Sequence, residues 1–196
     1  MKLSSEAQDL LFREARTANA FTDEPVSDEQ MRAVYDLVKY APTAMNSQPL
    51  RVLLVRSAEA RERLVSHMSP GNQAKTLAAP LVAVLAADLD FHHELPKVFP
   101  IAPAAKDTFE ANESGRVGMA RFNSALQTGY FIVGVRAAGL SAGPMTGFDA
   151  DALSKEFFPD GDHAVLAVVN LGRPAAEGAW FGRQPRLDYD EVVSVV

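Results

Sequence analysis

The sequence predicts a single domain over residues 1–196 that mixes α-helices with buried β-strands. Three observations carry that expectation. A chain of 196 residues is about one domain long and buries about 70% of its extended surface on folding, so a core can form without covalent staples. Leu81–Ala87 is a continuous apolar run of strand length, the pattern of a strand covered on both faces, and Ala164–Leu171 reads as a further buried strand. Arg116–Ala138 is a long, mostly apolar stretch that ends at Gly139, the pattern of a central helix closed by a left-handed cap.

The remaining elements follow from local chemistry. Residues 5–16 read as a short helix, broken by Thr17-Ala18-Asn19-Ala20 and Pro25. Ser27 and Gln30 form a capping box ahead of Met31, Val34, Val38 and Ala41 at helical spacing, and Pro42 ends that helix. Leu50–Val55 reads as a strand and Ser57–Met68 as a charged surface helix. Asn72 is expected to cap a short helix that stops at Pro80. Residues 88–114 read as a long excursion with one short helix, and Gly143–Gly147 as a turn. Asp149 starts a helix that stops at Pro159. Val192-Val193-Ser194-Val195-Val196 is expected to be a strand. An apolar terminal strand left unpaired would expose an edge, so its expected partner is a second copy of the chain.

Composition removes several function classes. Cysteine is absent, which excludes disulfides, iron–sulfur clusters, cysteine zinc sites and thiol nucleophiles. A net charge of −6 is a poor match to the basic footprint of nucleic-acid binders. The longest apolar uncharged run, Thr76–Ala87, contains Pro80 and falls short of the ~20 residues that span a bilayer. The expectation is a cytoplasmic protein with no membrane or nucleic-acid partner. No G-x-G-x-x-G follows a strand and no P-loop is present, which argues against a Rossmann nicotinamide domain and a P-loop ATPase. His92-His93 sits among Asp88, Asp90 and Glu94, but adjacent side chains diverge, so no metal site is expected. Gly139-Leu140-Ser141-Ala142-Gly143 matches the nucleophile-elbow pattern of serine hydrolases, with Asp149 or Asp162 and His163 following. That elbow needs a strand before the serine and a helix after it, and here a helix comes before.

What remains is a set of polar clusters dispersed along the chain. Arg16-Thr17-x-Asn19 can bind an anion through guanidinium and hydroxyl donors. Pro42-Thr43-Ala44-Met45-Asn46-Ser47-Gln48-Pro49 is held rigid by its prolines. Asn72 and Lys75 stand one helical turn apart. The glycines of Gly143-Pro144-Met145-Thr146-Gly147 allow close approach of a flat ligand, and Arg183 and Arg186 lie in an extended tail.

In that order the clusters resemble the FMN-dependent nitroreductase superfamily. The shared motifs are R-[ST]-x-x-x-[FY] at Arg16–Phe21, A-P-[ST]-x-x-N-x-Q-P at Ala41–Pro49, a glycine turn ending in Gly147-Phe148, and Arg186-Leu187. Within the superfamily the chain looks most like the short branch holding the malonic semialdehyde reductase of pyrimidine breakdown. Gly71-Asn72-x-x-Lys75-Thr76-Leu77, Leu95-Pro96-x-x-Phe99-Pro100 and Pro185-Arg186-Leu187 carry that likeness.

The resemblance implies an α+β fold with a central mixed or antiparallel sheet flanked by helices. It also implies an intertwined homodimer with FMN at the interface and the C-terminal segment exchanged onto the partner. The implied activity is hydride transfer from NADH or NADPH through FMN to a small-molecule acceptor, such as malonic semialdehyde, a nitroaromatic, a quinone or an enal. No protein nucleophile is implied. A flavin-binding protein without turnover stays open, as does a hydrolase using Ser141. By resemblance, Arg16 and Arg186 hold the phosphate with Thr17, and Asn19 reaches the phosphate or ribityl chain with Arg183 in support. Thr43, Ala44 and Asn46 come from the other subunit to line the isoalloxazine, and Pro42 is a further cofactor-binding residue. Asn72 and Lys75 lie at the flavin's polar edge. Pro144, Met145, Thr146 and Gly147 pack along the ring.

Overall fold

Four strands, β1 (Leu50–Val55), β2 (Leu81–Asp88), β3 (Ser141–Met145) and β4 (His163–Gly172), pair antiparallel in the order β1-β2-β4-β3. The computed structural model describes residues 1–196. Every residue of β2 is buried. Successive side chains of a strand point to opposite faces, so a strand apolar at each position must be covered twice. Leu81, Ala83 and Leu85 join one core with Val34, Phe131, Val135 and Val169. Val82, Val84 and Ala86 join the other with Leu64, Leu153 and Val168. The outcome is the expected α+β layering, helix on sheet on helix.

The helices are α1 (Ser5–Gln8), α2 (Asp28–Val38), α3 (Ala58–Ser66), α4 (Pro70–Ala78), α5 (Leu95–Val98), α6 (Ala105–Glu110), α7 (Glu113–Ala137), α8 (Ala150–Phe157) and α9 (Tyr189–Val192). α2 and α7 cover the first core, and α3 and α8 the second. The capping box at Ser27 and Gln30 is formed in both directions. Gly139 takes φ of 75° after α7, the left-handed conformation that glycine adopts without penalty. No helix is long and apolar enough to cross a membrane.

Several expectations need correction. The first helix stops early: α1 runs into a π-turn over Asp9–Arg13 and the chain is extended from Ala15. Asn72 does not cap α4, which starts at Pro70 after Ser69; proline at the first helical position gives up an N–H that would be unpaired anyway. The excursion holds a 3-10 turn over Phe91–Glu94 and two short helices, α5 and α6. Gly143, Pro144 and Met145 belong to β3 rather than to a turn, because Met145 pairs with Val168 and Gly143 with Asn170. The valine-rich end is not a strand within the protomer. Asp188 and Glu191 form a capping box that nucleates α9, and Val195 and Val196 beyond it are exposed. α7 is covered on one side only; Phe122, Leu126 and Tyr130 face outward.

The two sheet edges differ. Outside β3, the Ala18 N–H donates to the Ala142 carbonyl at 3.0 Å, and past the start of β3 the Thr22 N–H donates to the Arg173 carbonyl, just after β4, at 2.9 Å. Outside β1 no strand pairs, and a groove of about 330 Å³ opens along it, lined by Met31, Tyr35, Val38, Val52, Leu54 and Phe131 among others.

Candidate functional site

The bond from Ala18 to Ala142 fixes Arg16, Thr17 and Asn19 beside the end of β3. The C-terminal tail then passes the same place. Arg16, Thr17, Asn19, Arg183, Gln184 and Arg186 line one cavity of about 280 Å³. An adjoining cavity of about 220 Å³ shares Arg16, Thr17 and Arg186 and adds Arg136, Ile132, Ala142 and Pro144. The site therefore gathers guanidinium groups from three distant parts of the chain.

Their charges are poorly compensated. Glu14 is the one carboxylate paired with any of them, at 3.5 Å from Arg16 and 3.7 Å from Arg183. Arg186 donates only to the Gln184 and Pro185 carbonyls beside it, and Arg136 donates to the Leu10 carbonyl at 2.8 Å. Burial pushes the Arg136 pKa down; Glu14 opposes that shift and Arg183 adds to it. Clustered guanidiniums facing a single carboxylate make a receptor for a doubly charged anion, because each can give bidentate, charge-assisted hydrogen bonds.

Pro144 also lines a third cavity, of about 400 Å³, with Met145, Thr146, Ala125, Thr128, Leu166 and Ala167. A trough thus runs from the cationic end along β3 to an apolar floor. The Thr128 hydroxyl is buried there without a hydrogen-bond partner. A flat ring with polar edges fits such a surface, and a phosphate fits the arginine end. The residues present accordingly suit FMN, with Thr128 free to bond its ring edge.

α4 braces this trough. The Lys75 ammonium donates to the Asn19 amide oxygen at 3.3 Å, joining the two clusters. Asn72 donates to the Gly147 carbonyl at 3.0 Å. A Cβ at Gly147 would stand 2.6 Å from that Asn72 nitrogen, so any larger residue there would displace the Asn72 amide from its bond. Asn72 therefore holds the loop after β3.

The segment from Pro42 to Gln48 stands apart. Met45, Asn46 and Gln48 have φ of 55°, 50° and 44°, a strained run for residues with side chains. Several of its polar groups are engaged within the protomer, while the Ser47 hydroxyl is buried without a partner. The Ala44 N–H donates to Asn123 of α7 at 2.8 Å, Asn46 to the Val98 carbonyl at 2.8 Å, and Gln48 N–H to the Thr43 hydroxyl at 3.2 Å. Within one protomer Pro42, Thr43, Ala44 and Asn46 line none of the three cavities of the trough.

A family model described as the Nitroreductase family matches residues 12–173. The chain belongs to the nitroreductase family. A Streptomyces coelicolor protein named for NADH dehydrogenase/NAD(P)H nitroreductase activity is 65% identical over 194 residues, covering 99% of this chain and 98% of its own length. Among solved structures, a Bacillus subtilis nitroreductase superposes with a TM-score of 0.87 at 22% identity, over 98% of this chain and 99% of that one. An Exiguobacterium sibiricum nitroreductase, solved in complex with FMN, superposes with a TM-score of 0.85 at 18% identity, over 100% and 99%.

A nitroreductase site also disposes of the hydrolase alternative. Ser141 is buried at the start of β3 and pairs with Gly172 at the far end of β4 from His163. Nine residues of strand separate those ends, about 30 Å at ~3.3 Å per residue, so His163 cannot activate Ser141. Sequence reasoning missed Arg136 and Thr128 because both lie in α7, whose apolar character reads as core. An arginine in the last turn of so apolar a helix was the available signal for the first.

Proposed function

We propose that this nitroreductase-family chain is an FMN-dependent NAD(P)H oxidoreductase that reduces a small organic acceptor over the trough beside β3. The observation that carries the reading is the convergence of Arg16, Arg136, Arg183 and Arg186 at one end of an apolar trough with only Glu14 to offset them. FMN, when bound, supplies hydride chemistry: two electrons and a proton pass from NAD(P)H to the acceptor, which takes a second proton. The chain's own contribution is placement. Arg16, Arg183, Arg186 and Thr17 bind the phosphate, and Asn19, held by Lys75, orients the ribityl chain. Pro144, Met145, Thr146 and Gly147 present one wall to the ring, with the Thr128 hydroxyl as a donor at its edge. Lys75 would bring a positive charge to the ring's polar edge, where it would stabilise negative charge built up on reduction.

The active unit is a homodimer in this reading. The open β1 edge, the outward apolar face of α7 and the exposed terminal valines all need cover that the protomer lacks. Thr43, Ala44 and Asn46 then reach the ring of the partner's flavin. Among acceptors, malonic semialdehyde, reduced to 3-hydroxypropionate, is favoured by the Gly71–Leu77, Leu95–Pro100 and Pro185–Leu187 motifs. Nitroaromatics, quinones and enals are the competing classes.

Purified protein tests this directly. It should be yellow, should bleach under NADH or NADPH without oxygen, and should regain colour when an acceptor is added. Turnover with malonic semialdehyde should exceed that with a nitroaromatic or a quinone; the reverse order moves the assignment to another acceptor. Protein that stays yellow under both nicotinamides is a flavin binder without turnover. Colourless protein that takes up no FMN overturns the reading.

A further inference from the structure

His92 and His93 are adjacent, and adjacent side chains were expected to diverge. In the 3-10 turn over Phe91–Glu94 they do not: the two imidazole centroids lie 4.2 Å apart with ring planes inclined at 35°. Both point at Glu110, in the last turn of α6. His92 Nε2 lies 2.8 Å and His93 Nε2 3.4 Å from the same Glu110 Oε2. All three donor atoms fall within 4.8 Å of one another. We propose that His92, His93 and Glu110 form a zinc site that clasps the 91–98 turn to α6, with water completing the coordination.

A zinc ion takes imidazole nitrogen and carboxylate oxygen at about 2.0–2.2 Å in a tetrahedron, which sets neighbouring donors about 3.3 Å apart. Both distances to Glu110 lie within about half an ångström of that value. Two imidazoles and one carboxylate suit zinc better than the oxygen-seeking calcium or magnesium. The burial pattern suits a metal as well. His92 is 1% exposed, its ring packed edge-on against Phe91, so this ligand is held in place before any ion arrives. His93 and Glu110 have side chains 55% and 59% exposed, which leaves an entry path and room for water. Asp90 and Glu94 lie on the same turn but are paired with Arg116 at 3.6 Å and Lys97 at 3.8 Å, which leaves Glu110 as the carboxylate facing the two imidazoles.

The clasp matters because of what the excursion carries. Phe91, Leu95 and Ala105 build a small core that also holds Met45 and Val98, and the Val98 carbonyl accepts from Asn46. Zinc would fix the spacing of turn and helix and so stiffen the support under Asn46.

The test uses flavin-loaded, untagged protein stripped with a chelator and then titrated with zinc chloride in a calorimeter, with melting followed by circular dichroism. The expected result is one zinc per chain and a rise in Tm at saturation. His93→Ala and Glu110→Gln should each weaken zinc binding at least tenfold. The double variant should abolish it while FMN content and the zinc-free Tm stay at their original values. His67→Ala and His163→Ala should bind zinc as the unmodified chain does. Absence of zinc uptake overturns the proposal, as does undiminished uptake by the double variant. In that event His92 and Glu110 form a hydrogen bond and nothing more.

Discussion

At the scale of single residues, the arginines at the trough's end act by unspent donor capacity. Arg186 bonds only carbonyls of its own turn, and Arg16 shares Glu14 with Arg183. A hydrogen bond to a charged group contributes about 1.5–3 kcal/mol, so Arg16→Ala and Arg186→Ala should each raise the FMN Kd about tenfold or more. Fluorescence titration of the apoprotein checks this; unchanged affinity in both variants would move the phosphate elsewhere. Ser141→Ala should leave NADH oxidation nearly intact, since Ser141 lies inside β3 with no base in reach. Arg183 and Arg186 stood out because a charged residue in a proline- and glycine-containing tail has no helix or core to explain it, and Arg16 because Thr17 and Asn19 follow it where the first helix breaks. Arg136 was hidden by the apolar helix around it. The bond from Asn72 to the Gly147 carbonyl was not legible, because the two residues are 75 positions apart.

At the scale of elements, legibility tracks how local the determinant is. α2 was readable to its first residue, since Ser27 and Gln30 bond each other's backbone three positions apart. Losing such a cap costs about 1 kcal/mol. Ser27→Ala should lower Tm by about 2–4 °C in a domain of this size, measured by thermal denaturation, with FMN content unchanged. β2 was readable because burial on both faces leaves an unbroken apolar run, and β4 because only Asn170 interrupts its apolar stretch from Ala164 to Leu171. β3 was not: Gly143 and Pro144 are poor strand residues, and the pairing with β4 that makes them a strand lies beyond any local window. Gly143 is there because the Ala18 carbonyl occupies the space where a Cβ would be. Gly143→Ala must therefore push the Arg16–Asn19 segment outward, at a cost of about 1–3 kcal/mol. A lower Tm together with weaker FMN binding is the expected pair of effects. A lower Tm with FMN affinity untouched would uncouple β3 from the phosphate end.

For the whole molecule, the question is what covers the apolar surface the protomer leaves open. α7 turns Phe122, Leu126 and Tyr130 outward, β1 offers an unpaired edge above an apolar groove, and Val192, Val193, Val195 and Val196 lie exposed at the chain's end. A groove lined by Met31, Val38, Val52 and Leu54 and a segment of valines are complementary, since extended backbone can pair with β1 while alternate side chains enter the groove. The tail leading there, Phe181–Arg186, lines the phosphate cavity, so docking the end also holds Arg183 and Arg186 in place. Deleting residues 188–196 should then weaken the dimer and lower FMN affinity, although the deleted stretch lines none of the trough's cavities. The link is mass action: a cofactor that binds only the assembled form is released as assembly fails. Sedimentation of the truncated protein over a dilution series, read at the flavin absorbance, measures both effects together. The fraction of bound flavin should fall with the fraction of dimer, and added FMN should restore part of each. Truncated protein that stays dimeric and yellow on dilution would show that the valines cover their own protomer and that α7 alone holds the pair together.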